Sequence, residues 1–171
     1  MAEDDIYQSM RTYERLVETL DEFALPPEHR KRAGTLYAGK YWCKNKANLG
    51  YFRVLFDLFA AQDQSYVRRV RLIRTLRLIC HVTDKDFKDC DRTDIDRIMA
   101  YARKVYSVRT QSDFILDLKF LWKKLFPEPD EKGRIDETIV PYAVRHLSPR
   151  IDRSKQKIRQ DKLTPAEFEK L

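Results

Sequence analysis

Glycine, proline and cysteine are all scarce in this chain: 4, 7 and 3 residues among 171. The few glycines leave little room for the tight positive-φ turns that link short strands. Sustained polar–apolar alternation is nearly absent as well, so a sandwich or barrel is not expected. Cys43, Cys80 and Cys90 are odd in number and include no C-x-x-C pair, which argues against a disulfide framework. His81 follows Cys80 directly. Helical neighbours point about 100° apart and no second ligand pair follows at finger-like spacing, so a zinc site is not expected and Cys80 reads as a core thiol. No apolar run approaches the roughly 20 residues needed to span a bilayer. Met-Ala-Glu-Asp-Asp at the start is acidic and unlike a signal peptide, so a cytoplasmic, nucleoid-associated setting is expected.

What the chain does hold is apolar side chains and positive charge. It is 43% apolar and 12% aromatic, enough to bury a core in one domain plus extensions. A net charge of +7 and a pI of about 9.3 favour a polyanionic partner, nucleic acid first and an anionic membrane surface second. The charge is uneven. Residues 1–43 carry 6 basic against 8 acidic groups, residues 44–130 carry 18 against 12, and residues 131–171 carry 10 against 7.

The spacing predicts helices throughout. Ile6, Met10, Tyr13, Leu16, Val17, Leu20 and Phe23 give an amphipathic helix over 4–23, stopped by Leu25-Pro26-Pro27. Residues 33–43, with two glycines, read as a loop or short turn. Asn45 can cap a helix to about Gln62, and Ser65 one to about Val82. Thr83–Asp86 is a polar turn, with the Phe87 ring returning to the core. Asp91 or Thr93 starts a helix to about Val105; Ser107 or Arg109-Thr110 starts another, ending at Phe126-Pro127. A short helix after Pro141 reaches Leu147. Residues 145–162 then carry seven cations against Asp152 and Asp161, as a basic linker would. Thr164, Pro165 and Glu167 open a further helix that the chain leaves unfinished, which suggests that a following domain is absent.

Residues 65–82 hold five arginines. On a helical wheel Tyr66, Val70, Leu72, Ile73, Leu76, Ile79 and Cys80 share one broad side; Arg68, Arg71, Arg74 and Thr75 share the other. Arg69 points toward the apolar side and reads as structural. The expected result is a buried stripe backed by a cationic ridge without neutralising acids, which suits a phosphate backbone.

Residues 44–171 resemble the N-terminal half of a tyrosine recombinase of the phage-integrase family, in its archaeal form. The stretches that carry the resemblance are Asn45–Asn48 through the arginine helix, Lys85-Asp-Phe-Lys88 with Thr93-Asp-Ile-Asp-Arg97, Thr110–Lys123, and Lys162–Leu171, which is similar to the opening of the family's catalytic domain. The resemblance implies an all-α fold: a four-helix SAM-like core-binding bundle over 44–130, preceded by a helical arm over 1–43. A basic linker over 131–162 and the start of a catalytic domain over 163–171 would follow. It implies half of a clamp around double-stranded DNA, acting in DNA integration and recombination, with other protomers of the same recombinase as possible partners. The family's catalytic residues lie downstream, so no catalytic role passes to Tyr106, Tyr142 or His146, and this portion is not expected to cleave DNA. No cofactor, metal, membrane or small-molecule ligand is expected.

The candidate DNA contacts are Arg68, Arg71, Arg74 and Thr75 on one helix, and Arg109, Thr110, Gln111, Ser112, Lys119 and Lys123 on the next candidate helix. Arg150, Arg153, Lys155, Lys157 and Arg159 follow in the linker. Gln111 could read adenine and Arg68 or Arg71 guanine, with most contacts going to phosphate. Tyr51, Phe52, Phe56, Phe59, Trp122 and Phe126 could form a base-stacking platform, but at helical spacing they fit a core better. The alternative to DNA binding is a helical adaptor whose basic face meets an acidic protein.

Overall fold

The arginine-rich helix lies at the centre of the molecule. In the computed structural model, residues 8–29 and 41–149 are described. Among them are six α-helices: α1 (Ser9–Glu18), α2 (Leu49–Ala61), α3 (Tyr66–Val82), α4 (Arg92–Val105), α5 (Val108–Leu125) and α6 (Tyr142–Arg145). The only β-type pairing among the described residues is an isolated antiparallel bridge, Pro129 to Ile135. The architecture is all-α. Helix α3 packs against α1, α2, α4 and α5.

The sequence explains why α3 is central. Val70, Leu72, Ile73, Leu76, Leu78, Ile79 and Cys80 are all buried, with Arg69 and Thr75 among them. These positions cover most of the wheel, and a helix apolar nearly all round is buried nearly all round. Leu72, Ile73, Leu76, Leu78 and Ile79 are fully enclosed, and each such side chain stabilises the fold by about 1.5–3 kcal/mol. The one-sided amphipathic helix expected from the sequence is therefore corrected: Thr75 is 5% exposed and faces the interior, not the surface.

Several element boundaries also shift. The 4–23 helix is an α-helix only from Ser9 to Glu18, continuing as a 3-10 turn over Leu20–Ala24; residues 1–7 lie outside the described part. Asn45 does cap, but it caps a 3-10 turn over Lys46–Asn48 that leads into α2. Ser65 precedes α3 without a side-chain capping bond. Asp91 starts α4 through a reciprocal capping box with Asp94, and Ser107 starts α5 by accepting from the Thr110 amide.

The loop between α3 and α4 is fixed by polar groups that have left water. The buried Asn48 side chain donates from Nδ2 to the Lys85 carbonyl (2.9 Å) and accepts the Phe87 amide at Oδ1 (3.1 Å). Tyr51 donates to Asp86 Oδ1 (2.5 Å), which holds the Asp86 carboxyl below its usual range; burial pushes the Tyr51 phenol up to about 12. Lys85 Nζ pairs with the buried Asp94 at 2.6 Å, so the Asp94 carboxyl is lowered too. Phe87 is enclosed between Tyr51 and Trp122. Lys85-Asp-Phe is thus a structural latch in which each residue satisfies a different neighbour. The aromatic set belongs to the same core: Phe52, Phe59 and Trp122 are buried, and Tyr51, Phe56 and Phe126 pack against them, so no stacking platform is exposed.

Val144 and Leu147 are buried, and α6 packs on α4 and α5. The first part of the 131–162 stretch thereby joins the bundle. Residues 150–171, including the basic positions 150–159 and the expected final helix, lie outside the described residues.

Candidate nucleic-acid interface

Four of the five arginines of α3 are engaged within the molecule. Arg69 is buried; its Nε donates to the Gln64 carbonyl (2.6 Å) and its guanidinium lies over the rings of Tyr13 and Tyr66, tying α1 to the start of α3. Arg68 stacks over Phe120 of α5 at 4.8 Å, and Arg77 lies over Phe23 at 5.6 Å. Arg71 Nη2 pairs with Asp117 of α5 at 2.7 Å. This last pair is asymmetric: the side chain of Asp117 is 4% exposed and that of Arg71 49%. Burial raises the Asp117 carboxyl above its ordinary value, and the Arg71 guanidinium opposes that rise. The expected ridge free of acids is therefore corrected at Arg68 and Arg71. Two helices that are both buried along their shared seam must neutralise the polar groups trapped there, and α5 supplies Asp117 and Phe120 for that purpose.

Arg74 differs. It is exposed and, among the described residues, has no ion pair or ring contact. Its charge acts on Tyr106, the residue that ends α4. The corner between α4 and α5 gathers further cations. Arg103 and Lys104 lie in the last turn of α4, Arg109 in the first turn of α5, and all three are exposed with no carboxylate partner among the described residues. Cations at the end of α4 complement its dipole. Arg109 has the opposite setting: it stands at the positive end of α5, whose first turn contains no acid. Its charge and the open amides there both favour an anion from outside.

The remaining expected positions on α5 divide into used and available. Thr110 Oγ1 lies 3.0 Å from Ser107 Oγ within the cap, and Gln111 Nε2 donates to the Tyr106 carbonyl at 2.8 Å. One of the two N–H groups of the Gln111 side-chain amide is thus engaged at the corner; the second N–H and Oε1 have no partner among the described residues. Ser112 Oγ donates to the Val108 carbonyl, and Lys119 Nζ reaches the Arg145 carbonyl at 3.4 Å. Lys123 is half-buried and makes no ion pair among the described residues, but its charge helps to lower the Asp136 carboxyl.

A cleft of about 130 Å³ opens beside the corner, lined by Met99, Arg103, Val108, Gln111, Ser112 and Ile115 together with Ser148. The sequence enters its basic stretch two residues after Ser148. A separate groove of about 420 Å³ runs between α1 and α3, lined by Ser9, Thr12, Val67, Val70, Arg71 and Arg74. The two expected ribs therefore open into different hollows, with Arg71 and Arg74 on the α1–α3 groove. Sequence reasoning missed Arg103 and Lys104, which look like ordinary dipole-complementing residues at a helix end. The available signal was their proximity, across a two-residue turn, to Arg109.

Among the described residues, no group of three or more His, Cys, Asp or Glu side chains could hold a metal ion, and no helix is long and apolar enough to cross a membrane. Comparison with protein-family models, with curated proteins and with solved structures finds no match.

Proposed function

We propose that this chain binds duplex DNA through the α4–α5 corner, as the N-terminal, core-binding part of a tyrosine recombinase. The observation that carries the proposal is the set Arg103, Lys104 and Arg109: three exposed cations from two helices around one turn, with no carboxylate partner among the described residues. A self-neutralised surface gains nothing from a polyanion, because each internal pair must first be broken. An unpaired cluster displaces counterions from phosphate at once. The basic positions Arg150, Arg153, Lys155, Lys157 and Arg159 follow shortly after Ser148 in sequence and add positive charge to the chain. Lys119 and Lys123 stand further along α5. In this reading the bundle positions a recombinase on its site mainly through phosphate contacts.

The adaptor reading draws on a different observation. Leu116 is 54% and Val108 47% exposed on α5, next to these cations, and an apolar side chain among lysines suits a protein surface as well. Titrating the chain with a labelled duplex and, separately, with polyglutamate separates the two. DNA binding predicts a log Kd that rises linearly with log salt for the duplex, with little affinity for polyglutamate. Equal affinity for both polymers favours the adaptor.

A further inference from the structure

The thiols of Cys43 and Cys80 carry a second inference. Both residues are fully buried, and all three cysteines of the chain are free. Cys80 sits in the last turn of α3, and Cys43 lies in the irregular stretch before α2. Their sulfurs are 3.4 Å apart, although 37 positions separate the residues in sequence. The Cys43 amide donates to the Phe23 carbonyl (2.8 Å), and its thiol also reaches the Asn45 carbonyl (3.0 Å). The pair therefore stands where the Leu20–Ala24 turn, the stretch before α2 and the end of α3 meet. Burial and the neighbouring sulfur push the Cys80 thiol well above its ordinary range, so it stays protonated and inert while enclosed. Cys90 supplies a contrast within the same chain: its thiol contacts the Asp86 carbonyl (3.6 Å) instead of a second sulfur.

We propose that Cys43 and Cys80 are a modification site: they form a reversible intramolecular disulfide, with a low-molecular-weight disulfide of the glutathione class as the oxidant. The bond ties the stretch before α2 to the last turn of α3. A disulfide holds its sulfurs about 2.05 Å apart, so the two must close by about 1.3 Å. Cys43 reacts first, because it lies outside the helices. Lifting it breaks its contacts with the Phe23 and Asn45 carbonyls, whereas exposing Cys80 requires α3 to leave the core. The Cys43 thiolate attacks glutathione disulfide, breaks its S–S bond and forms a mixed disulfide; the released glutathione thiolate takes up a proton. The Cys80 thiolate then attacks the Cys43 sulfur and releases the second glutathione, which is protonated in turn. The protein loses two protons and two electrons, and the glutathione disulfide gains them. The closed ring contains all of α2 and most of α3, so the bond constrains the unfolded chain.

The test incubates the folded full chain with glutathione disulfide, then alkylates the remaining thiols in denaturant and digests with trypsin. Cleavage after Lys and Arg places Cys43 in peptide 41–44, Cys80 in 78–85 and Cys90 in 89–92. The expected result is 41–44 joined to 78–85 in most molecules, with 89–92 alkylated and dithiothreitol reversing the linkage. A glutathione adduct that never advances to the joined peptides overturns the proposal, and so does linkage of Cys90 in equal yield. Three alkylated cysteines in the folded chain, while a urea-unfolded sample oxidises, mean that the pair is packing alone. The second readout is thermal: the oxidised chain should melt about 10 °C above the reduced one. A lower midpoint shows that the bond distorts the fold and refutes the site. Cys90→Ala should leave the linkage and the rise unchanged, and Cys43→Ala should abolish the rise. A rise that persists in Cys43→Ala comes from another pairing and refutes the assignment. If Cys43→Ala fails to fold, the peptide map of the Cys90→Ala chain decides, because both thiols of the pair remain in place there.

Discussion

The α3–α5 seam and the α4–α5 corner contain the same residue types and use them in opposite ways. Along the seam, Arg68 and Arg71 are tied to Phe120 and Asp117 on the facing helix. At the corner, Arg103, Lys104 and Arg109 are exposed with no acid partner among the described residues. A count of positive charge along the sequence ranks the seam first, because it has the densest arginine run. The geometry ranks the corner first, because there three exposed cations without acid partners stand close together. Density of charge measures how many cations a fold must accommodate; exposure and pairing decide how many remain for a partner.

That contrast breaks if the seam governs binding, and four measurements press on it in descending order of effect. Changing Arg103, Lys104 and Arg109 together to Ala should weaken duplex binding about 100-fold at low salt, close to 2.7 kcal/mol, and lower the salt slope by about 2–3. Thermal stability should stay within roughly 1 kcal/mol of the parent, since surface changes away from special features cost little. Fluorescence anisotropy over a salt series reads the first quantity and chemical denaturation the second. Arg71→Ala should show the reverse pattern. It leaves Asp117 buried without its partner and should destabilise by about 2 kcal/mol in urea, less than a fully buried pair because Arg71 is half exposed, while duplex affinity changes less than about threefold. A larger loss of affinity than of stability would move the binding surface back to α3.

The third measurement is pH dependence. The Asp117 carboxyl is raised in the folded state, so the native protein holds that proton more tightly than the unfolded chain. Its contribution to stability therefore falls as pH rises from the ordinary carboxylate value through the raised one. Asp117→Asn removes this decline, so the variant should gain on the parent over that interval. Asp94, lowered by Lys85, has the opposite sign: its contribution is present above the ordinary carboxylate value and is lost as pH falls through the lowered one. Denaturation midpoints at several pH values for D117N and D94N should move in opposite directions relative to the parent. Finally, Phe120→Leu keeps the apolar volume but removes the ring beneath Arg68. It should cost only about 0.5–1 kcal/mol and leave duplex affinity unchanged.

Much of the helical layout was legible in the sequence. The starts of α4 and α5 at Asp91 and Ser107, the stop at Phe126 and the inward turn of Phe87 follow from capping chemistry and apolar spacing, which are local properties. The centrality of α3 was harder to read, yet one residue carried the signal. Leu78 follows Arg71 by seven positions, two helical turns, so it falls about 20° from it on the wheel. An enclosed leucine on the supposed cationic face means that another helix covers part of that face. The pairing of Arg71 with Asp117 was not legible, because it joins residues 46 apart whose side chains look equally solvated in sequence. Arg69 was read correctly as structural from its angle alone. On α5, Thr110 and Gln111 help to close the helix start, a use that the sequence does not distinguish from a surface contact, since Ser, Thr and Gln serve both.

The buried side chain of Asn48 gives the molecule an internal gauge. The Phe87 amide lies outside the six α-helices, at a loop position where fast hydrogen–deuterium exchange is the ordinary expectation, yet it donates to Asn48 Oδ1 in the interior. Its deuteration can proceed only when α2 and the loop before α4 separate. A single resonance then reports the opening free energy of that junction, and comparing it with core amides of α3 would show whether the bundle comes apart in one step or in two.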